Sequence, residues 1–161
     1  MEVYFLRHGK AQSGSSSGKD FDRELHPDGR KDIQTLAQRL NQMKIQFDNV
    51  FSSPLVRAKQ TAEILCEHLK TNPRFQLTDD LACGAKKEDI LNIINQEKNK
   101  KSILFIGHMP DLGEIIAQLI YAPSSLSLKA GALCRLDINQ PFDGKKPSEL
   151  TLFISPENYH S

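Results

Sequence analysis

Apolar residues along this chain switch between the spacing of a strand and the spacing of a helix. Short apolar runs at Val3–Leu6 and Ser102–Ile106 are typical of buried strands. Between them, apolar side chains recur every three or four residues, first over Asp32–Phe47 and then in the segment that follows Ser53. Ser53 and Pro54 predict the start of that second helix, as its N-cap and first-turn proline.

The same alternation continues to the end of the chain. The further predicted strands are Asn49–Phe51, Phe75–Thr78, Ala132–Ile138 and Glu149–Ile154, and the further helices are Glu88–Glu97 and Leu112–Ile120. Strands that alternate with helices form βαβ units, whose parallel sheet is covered on both faces. We therefore expect an α/β protein, a three-layer α/β/α sandwich with a mostly parallel central sheet. A length of 161 residues without an internal repeat or a linker predicts a single domain over residues 1–161.

Composition excludes several classes of protein. Lys and Arg total 21 against 20 for Asp and Glu, so no basic excess is available for a nucleic-acid binder held by phosphate contacts. No apolar stretch approaches the roughly 18 residues that cross a bilayer, and Met1–Arg7 lacks the features of a signal peptide. The three cysteines, Cys66, Cys83 and Cys134, have no CxxC spacing. They predict neither a disulfide framework nor a zinc site, and they favour a reducing cytoplasm.

Chemistry-bearing side chains follow the predicted strands. Arg7 and His8 end the first strand, His108 comes after the fourth, and Arg57 lies one turn into the helix after the second. Because ligands bind outside the carboxyl ends of such strands, we expect these four residues to converge. The planar guanidinium group of arginine can donate two hydrogen bonds to the oxygens of one phosphoryl group. Neutral imidazole is a competent nucleophile at phosphorus. The pattern predicts a phosphoryl site, with no carboxylate cluster for a metal.

Each of these residues also has a simpler structural interpretation. A histidine at a strand end is commonly a hydrogen-bonding surface residue, and the alternative for Arg57 is a helix-surface charge paired with Glu63 or another acid. The remaining histidines fit structural or exposed positions: His26, His68 and His160. The serine- and glycine-rich segment 13–18 is interpreted as a flexible surface loop, with a mobile flap beside the site as the alternative.

Three short motifs in the expected order resemble those of the histidine phosphatase (phosphoglycerate mutase-like) superfamily. They are Leu6-Arg7-His8-Gly9, the Ser52–Ala62 segment with its Ser-Pro, Arg and Gln-Thr, and Gly107-His108. The chain is short and most resembles the SixA-type phosphohistidine phosphatases, because other branches carry long insertions over the site. The resemblance implies a phosphoglycerate mutase-like fold. The Asp22–Gly29 segment resembles a further family stretch in which Arg23 would bind phosphate; the alternative is an ion pair with Asp20 or Asp22.

The resemblance implies a two-step phosphatase reaction. His8 would take the phosphoryl group and water would then release it, while Arg7, Arg57 and His108, together with Arg23, stabilise the phosphoryl oxygens. The family pattern implies no metal and no cofactor. The implied partner is a protein that bears phosphohistidine, such as a phosphotransfer domain or a phosphocarrier, with no role for nucleic acid or membrane.

One departure from the family pattern concerns the acid that protonates the leaving group. Members typically bring a carboxylate from the region after the third strand, whereas residues 79–88 present no acid in a motif. This departure favours a phosphoramidate, whose protonated imidazole leaves readily. The acids that remain candidates are Asp20, Asp22, Glu24 and Glu88. The alternative functions are a phosphatase of small phosphate esters and a catalytically silent module that binds phosphate or phosphoproteins.

Overall fold

The computed structural model describes residues 1–139, 142 and 146–159, so His160 lies outside the described residues. The strands are β1 (Glu2–Arg7), β2 (Asn49–Ser52), β3 (Phe75–Leu77), β4 (Ser102–Gly107), β5 (Leu133–Asp137) and β6 (Glu149–Ile154). The helices are α1 (Pro27–Gln42), α2 (Val56–His68), α3 (Lys87–Gln96) and α4 (Asp111–Ile120). Short 3₁₀ turns lie at Asp20–Asp22, Asp79–Leu81 and Pro156–Asn158. The alternation of strand and helix is the predicted one.

The six strands within the described residues form a sheet in the order β3-β2-β4-β1-β5-β6. β4 lies parallel between β1 and β2, and β3 pairs parallel with β2 on the far side. β5 runs antiparallel to β1, and β6 antiparallel to β5. The mostly parallel sheet and its two-stranded antiparallel end are therefore both confirmed.

Side chains of the central strands alternate between two apolar layers. On β1, Val3 and Phe5 pack in one layer, which also contains the apolar faces of α3 and α4. Tyr4 and Leu6 point to the other layer, which contains the apolar faces of α1 and α2. Because every second residue of a strand faces the same way, buried runs such as these require helices on both sides of the sheet. The α/β/α arrangement is confirmed.

Three predicted helix boundaries are wrong. Helix α1 begins at Pro27, five residues before its apolar repeat, because the ring of His26 caps the helix by accepting the Asp28 backbone N–H at 3.1 Å. It ends before Lys44, whose φ of 58° lies in the left-handed region. Helix α2 begins at Val56 rather than directly after Ser53. Its N-cap residue is Leu55, whose side chain makes no capping hydrogen bond, and Ser53 lies two residues before that position.

The described residues contain neither a membrane-spanning helix nor a cluster of metal-ligating side chains. No helix among the described residues is both long and apolar enough to span a bilayer. In the same part of the chain, no group of three or more His, Cys, Asp or Glu side chains is arranged to hold a metal ion. All three cysteines are free, and Cys66 and Cys134 are buried in the apolar layers.

Candidate active site

The sheet register brings both predicted histidines to one edge. Arg7 is opposite Gly107 in the parallel pair of β1 and β4, so the next residues, His8 and His108, leave the sheet side by side. The His8 backbone N–H still donates to the Gly107 carbonyl at 3.1 Å. On the other side of β4, Ser53 leaves β2 at the same level. The two imidazole rings lie 5.1 Å apart between centroids.

His8 is held with one ring nitrogen free to act as a nucleophile. Only 7% of the residue is exposed. Its Nδ1 lies 2.7 Å from the Gly9 carbonyl oxygen, an acceptor, so Nδ1 carries the hydrogen. Its Nε2 accepts a hydrogen bond from the Nε–H of Arg57 at 3.3 Å and therefore carries the lone pair. This tautomer is the one that nucleophilic attack through Nε2 requires.

Both histidines are neutral at ordinary pH. Burial lowers the pKa of His8 to about 4; its bond to Gly9 opposes the shift, and the charges of Arg57 and Arg7 add to it. Burial also lowers the pKa of His108 to about 3, with further lowering by His8 and Arg57. The physical cause in both is the loss of hydration next to guanidinium charges. A lone pair is therefore available on His8 without a separate base.

Arg57 lies in the first turn of α2 and points into the site. It is 4% exposed, so the interpretation as a helix-surface charge is wrong, and Glu63 pairs with Lys59 instead. Its terminal nitrogens donate to the backbone carbonyl of Asp20 at 2.9 Å and to the Asp20 carboxylate at 3.1 Å. Every nitrogen of the guanidinium thus has a partner, one of which is the nucleophile.

Arg23 shares the Asp20 carboxylate with Arg57. Its Nε donates to the second carboxylate oxygen at 2.9 Å and its Nη1 to the Gln12 carbonyl at 3.0 Å. The ion pair with Asp20, the alternative from the sequence, is therefore observed, and phosphate binding by Arg23 stays a prediction. Desolvation raises the pKa of Asp20, but the charge and hydrogen bonds of the two arginines outweigh it and lower that pKa. The carboxylate is ionised and bridges two guanidinium groups.

Arg7 and His108 each present a buried nitrogen without a partner. Arg7 Nη1 donates to the Leu128 carbonyl at 2.7 Å, but Arg7 Nε has no hydrogen-bond partner among the described residues. His108 Nε2 lies 2.7 Å from the Ser53 hydroxyl, whereas His108 Nδ1 has no hydrogen-bond partner among the described residues. Buried polar groups are normally satisfied. Two unpaired nitrogens beside His8 are therefore expected to bind a ligand with acceptor oxygens.

The Gln-Thr pair after Arg57 holds the first motif in place. The Thr61 hydroxyl accepts the Gly9 backbone N–H at 3.1 Å and donates to the Arg57 carbonyl at 2.7 Å. Gln60 accepts the Leu25 backbone N–H at 2.8 Å and so anchors the chain after the 3₁₀ turn. Neither residue was given a role from the sequence, where the one feature that marked them was their place in the second motif. In the structure, both residues connect segments that are far apart along the chain.

The serine-rich segment lies beside the site and has an ordered set of bonds. The Ser15 hydroxyl donates to the Lys19 carbonyl at 2.7 Å and the Ser17 hydroxyl to the Asp22 carboxylate at 2.6 Å. A cavity of 610 Å³ opens between segment 12–16 and Val56. This loop adjoins the 3₁₀ turn that carries Asp20.

The candidate acids fall into separate environments. Asp22 and Glu24 accept hydrogen bonds from Ser17 and Gln60, away from His8. In the described part of the chain, no hydrogen bond or ion pair joins segment 79–88 to His8, Arg57 or His108. Asp20 is the candidate that reaches the site, through the arginines, and it does so as an ionised group.

The family model of the histidine phosphatase superfamily (branch 1) matches residues 3–82. An uncharacterised protein of Picosynechococcus sp. is 32% identical over 98% of both chains. The chain belongs to the histidine phosphatase superfamily. The Haemophilus influenzae homologue of the phosphohistidine phosphatase SixA is 27% identical over 99% of both chains. The structure of the protein histidine phosphatase SixA with tungstate superposes with a TM-score of 0.88 at 22% identity, covering 98% of this chain and 99% of that one.

Within the superfamily, this histidine phosphatase belongs to the SixA-type branch, and its fold is that of the phosphoglycerate mutase-like proteins. The SixA relatives support a phosphatase, which is a hydrolase. The three motifs that carried the resemblance lie where β1, β2 and β4 end, at the edge described above.

Proposed function

We propose that this protein hydrolyses phosphohistidine on other proteins, without a metal, through a phosphohistidine intermediate on its own His8. One observation carries the proposal. The lone pair of His8 Nε2 lies in a buried site where neither Arg7 Nε nor His108 Nδ1 has a hydrogen-bond partner among the described residues. A phosphoryl group supplies acceptor oxygens for both nitrogens and an electrophile for the lone pair.

The first step forms a bond between His8 Nε2 and phosphorus. The Nε–H of Arg57 moves from the Nε2 lone pair to a phosphoryl oxygen. The bond from phosphorus to the substrate nitrogen breaks with its electron pair staying on that nitrogen, so the substrate ring, already protonated on its other nitrogen, leaves as the neutral imidazole. In the second step water attacks phosphorus, His8 leaves as the neutral imidazole, and the proton of the water passes to the released phosphate. Guanidinium groups spread over the phosphoryl oxygens supply the charge stabilisation that metal ions supply in kinases.

The state of Asp20 supports a phosphoramidate substrate. An acid for ester cleavage has to carry a proton near neutral pH, which requires a raised pKa. The pKa of Asp20 is instead lowered by the two arginines. A protonated imidazole leaves without a proton from the enzyme, so phosphohistidine is suited to a site whose adjacent carboxylate is ionised. The names of the SixA relatives, phosphohistidine phosphatases, support the same substrate.

The test is phosphate release from a protein phosphorylated on histidine and from an aryl phosphate, measured in parallel. We expect release from the phosphohistidine protein, lost in His8→Ala. His68→Ala is the matched control, because His68 is an exposed histidine whose ring bonds to the Ile64 carbonyl within its own helix, and its backbone contact with Asn41 is kept in alanine. Release mainly from the ester would assign the protein to small-molecule phosphatases. Release by neither route would leave the silent binding module.

A further inference from the structure

The Ser53 hydroxyl is a buried contact of His108 that the reaction above does not use. Ser53 is fully buried, and its Oγ lies 2.7 Å from His108 Nε2. Its backbone N–H donates to the Ile106 carbonyl at 3.0 Å, which ties it to β4 two residues before His108. The hydroxyl is therefore fixed relative to the imidazole by the sheet itself.

The direction of this hydrogen bond follows from where the hydroxyl hydrogen can go. Ser53 Oγ accepts the Leu55 backbone N–H at 3.3 Å, and among the described residues its own hydrogen has one acceptor, His108 Nε2. If His108 Nε2 donated instead, the buried hydroxyl hydrogen would have no acceptor, so the hydroxyl donates. A neutral imidazole that accepts at Nε2 carries its own hydrogen at Nδ1. His108 Nδ1, like Arg7 Nε, is a buried nitrogen without a hydrogen-bond partner among the described residues.

We propose that Ser53 is a positioning residue, which holds His108 as the Nδ1–H tautomer so that this N–H donates to a phosphoryl oxygen. This inference rests on the proposed function. In the opposite tautomer, His108 Nε2–H would donate to Ser53 and Nδ1 would present a lone pair to the phosphoryl oxygens, which repel it. The tautomer therefore decides whether His108 attracts or repels the group being transferred.

The charges around the ring make tautomer control more important than protonation. His108 is buried against His8, with Arg57 and Arg7 as neighbouring cations and Asp20 as the neighbouring anion. A full positive charge on the ring is disfavoured there, and burial lowers its pKa to about 3. A neutral ring has one hydrogen to place, and the Ser53 hydroxyl determines where it lies.

The sequence offers a matched control for this role. Ser52 is equally buried and also carries a hydroxyl, but its Oγ donates to the Ser53 carbonyl at 3.0 Å and has no contact with His108. Ser53→Ala and Ser52→Ala therefore remove the same group at the same depth. Only the first removes the contact with His108.

The first readout is the tautomer itself, from the ¹⁵N shifts of the imidazole nitrogens in uniformly labelled, substrate-free protein. We expect wild type and Ser52→Ala to show His108 protonated at Nδ1, and Ser53→Ala to show a mixture of both tautomers. Wild-type His108 protonated at Nε2 would overturn the proposal. This readout does not depend on turnover, so it stands even if the substrate class in the proposed function is wrong.

The second readout is steady-state phosphatase kinetics. In Ser53→Ala we expect kcat to fall about 10- to 100-fold, the usual cost of losing a group that orients a catalytic imidazole, with a smaller change in KM. Ser53→Thr keeps a hydroxyl and should recover part of kcat. Equal losses in Ser52→Ala and Ser53→Ala, or wild-type kcat in a folded Ser53→Ala, would overturn the proposal.

Discussion

Asp20 occupies the arginine groups that we propose bind the phosphoryl group. Its carboxylate bridges Arg57 and Arg23, and its backbone carbonyl takes a further nitrogen of Arg57. A bound phosphoryl group carries the same kind of acceptor oxygens, so it has to displace this carboxylate before Arg57 can bind it. We therefore expect Asp20→Asn to bind phosphate more tightly than wild type, because the amide keeps the shape and loses the charge.

The size of the effect follows from the exposure of the pair. The Asp20 side chain is 63% exposed, so each of its two ion pairs is worth at most about 1 kcal/mol. Removing the charge of Asp20 should lower the dissociation constant of an oxyanion by roughly 5- to 10-fold, since 1.4 kcal/mol corresponds to a factor of ten. The backbone bond from Arg57 to Asp20 remains and keeps the gain from being larger.

The assay is calorimetric titration of orthophosphate and of tungstate into wild type, Asp20→Asn and Asp22→Asn. Asp22→Asn removes the same charge two residues away, where the carboxylate accepts from Ser17 and contacts neither arginine. We expect the tighter binding in Asp20→Asn alone. Unchanged or weaker binding in Asp20→Asn, or equal tightening in both variants, would refute the idea that the Asp20 carboxylate competes with phosphate.

Three further predictions concern catalysis and stability. Arg57→Ala should lower kcat/KM for a phosphohistidine protein by about 100- to 1,000-fold, with little recovery in Arg57→Lys, which lacks the fork; a variant within a few-fold of wild type would argue against phosphoryl contact. Turnover should be unchanged after dialysis against EDTA, and a loss restored by a divalent cation would reveal a metal requirement. Because the folded pKa of His8 is about 4 and its ordinary value 6.5, the unfolded chain binds its proton more readily. His8 should therefore lower the free energy of unfolding by about 3 kcal/mol as the pH drops from 6.5 to 4, in addition to a comparable contribution from His108. His8→Asn should show a shallower fall in urea titrations; an identical fall would assign the effect to other groups.

The pattern of the sequence was sufficient for the sheet and for the residues at its edge. Buried runs such as Val3–Leu6 specify strands covered on both faces, and parallel neighbours place the residues after them together. The pairing of Arg7 with Gly107 then brings His8 next to His108. The histidines could be selected because each follows a predicted buried strand and lies in a motif of the family. That β1 and β4 are neighbours is known only from the structure.

Contacts made across the fold by loops could not be predicted in this way. Asp20 meets Arg57 across 37 positions, and nothing in either local sequence encodes that distance. Ser53 was interpreted as a helix cap because the Ser-Pro pattern is typical of one, yet its hydroxyl binds His108. The start of α1 was missed because its first turn is polar and shows no apolar repeat. In each case a long-range hydrogen bond or cap outweighed the local pattern.

The central claim is that His8 itself becomes phosphorylated during turnover. The direct measurement is to mix enzyme with a phosphohistidine-bearing protein, quench rapidly at alkaline pH, and locate the added phosphoryl group by peptide mass spectrometry. The account predicts a transient phosphoryl group on His8 in wild type and none in His8→Ala. A phosphoryl group on His108 or Ser53 instead, or turnover at the wild-type rate in His8→Ala, would contradict it.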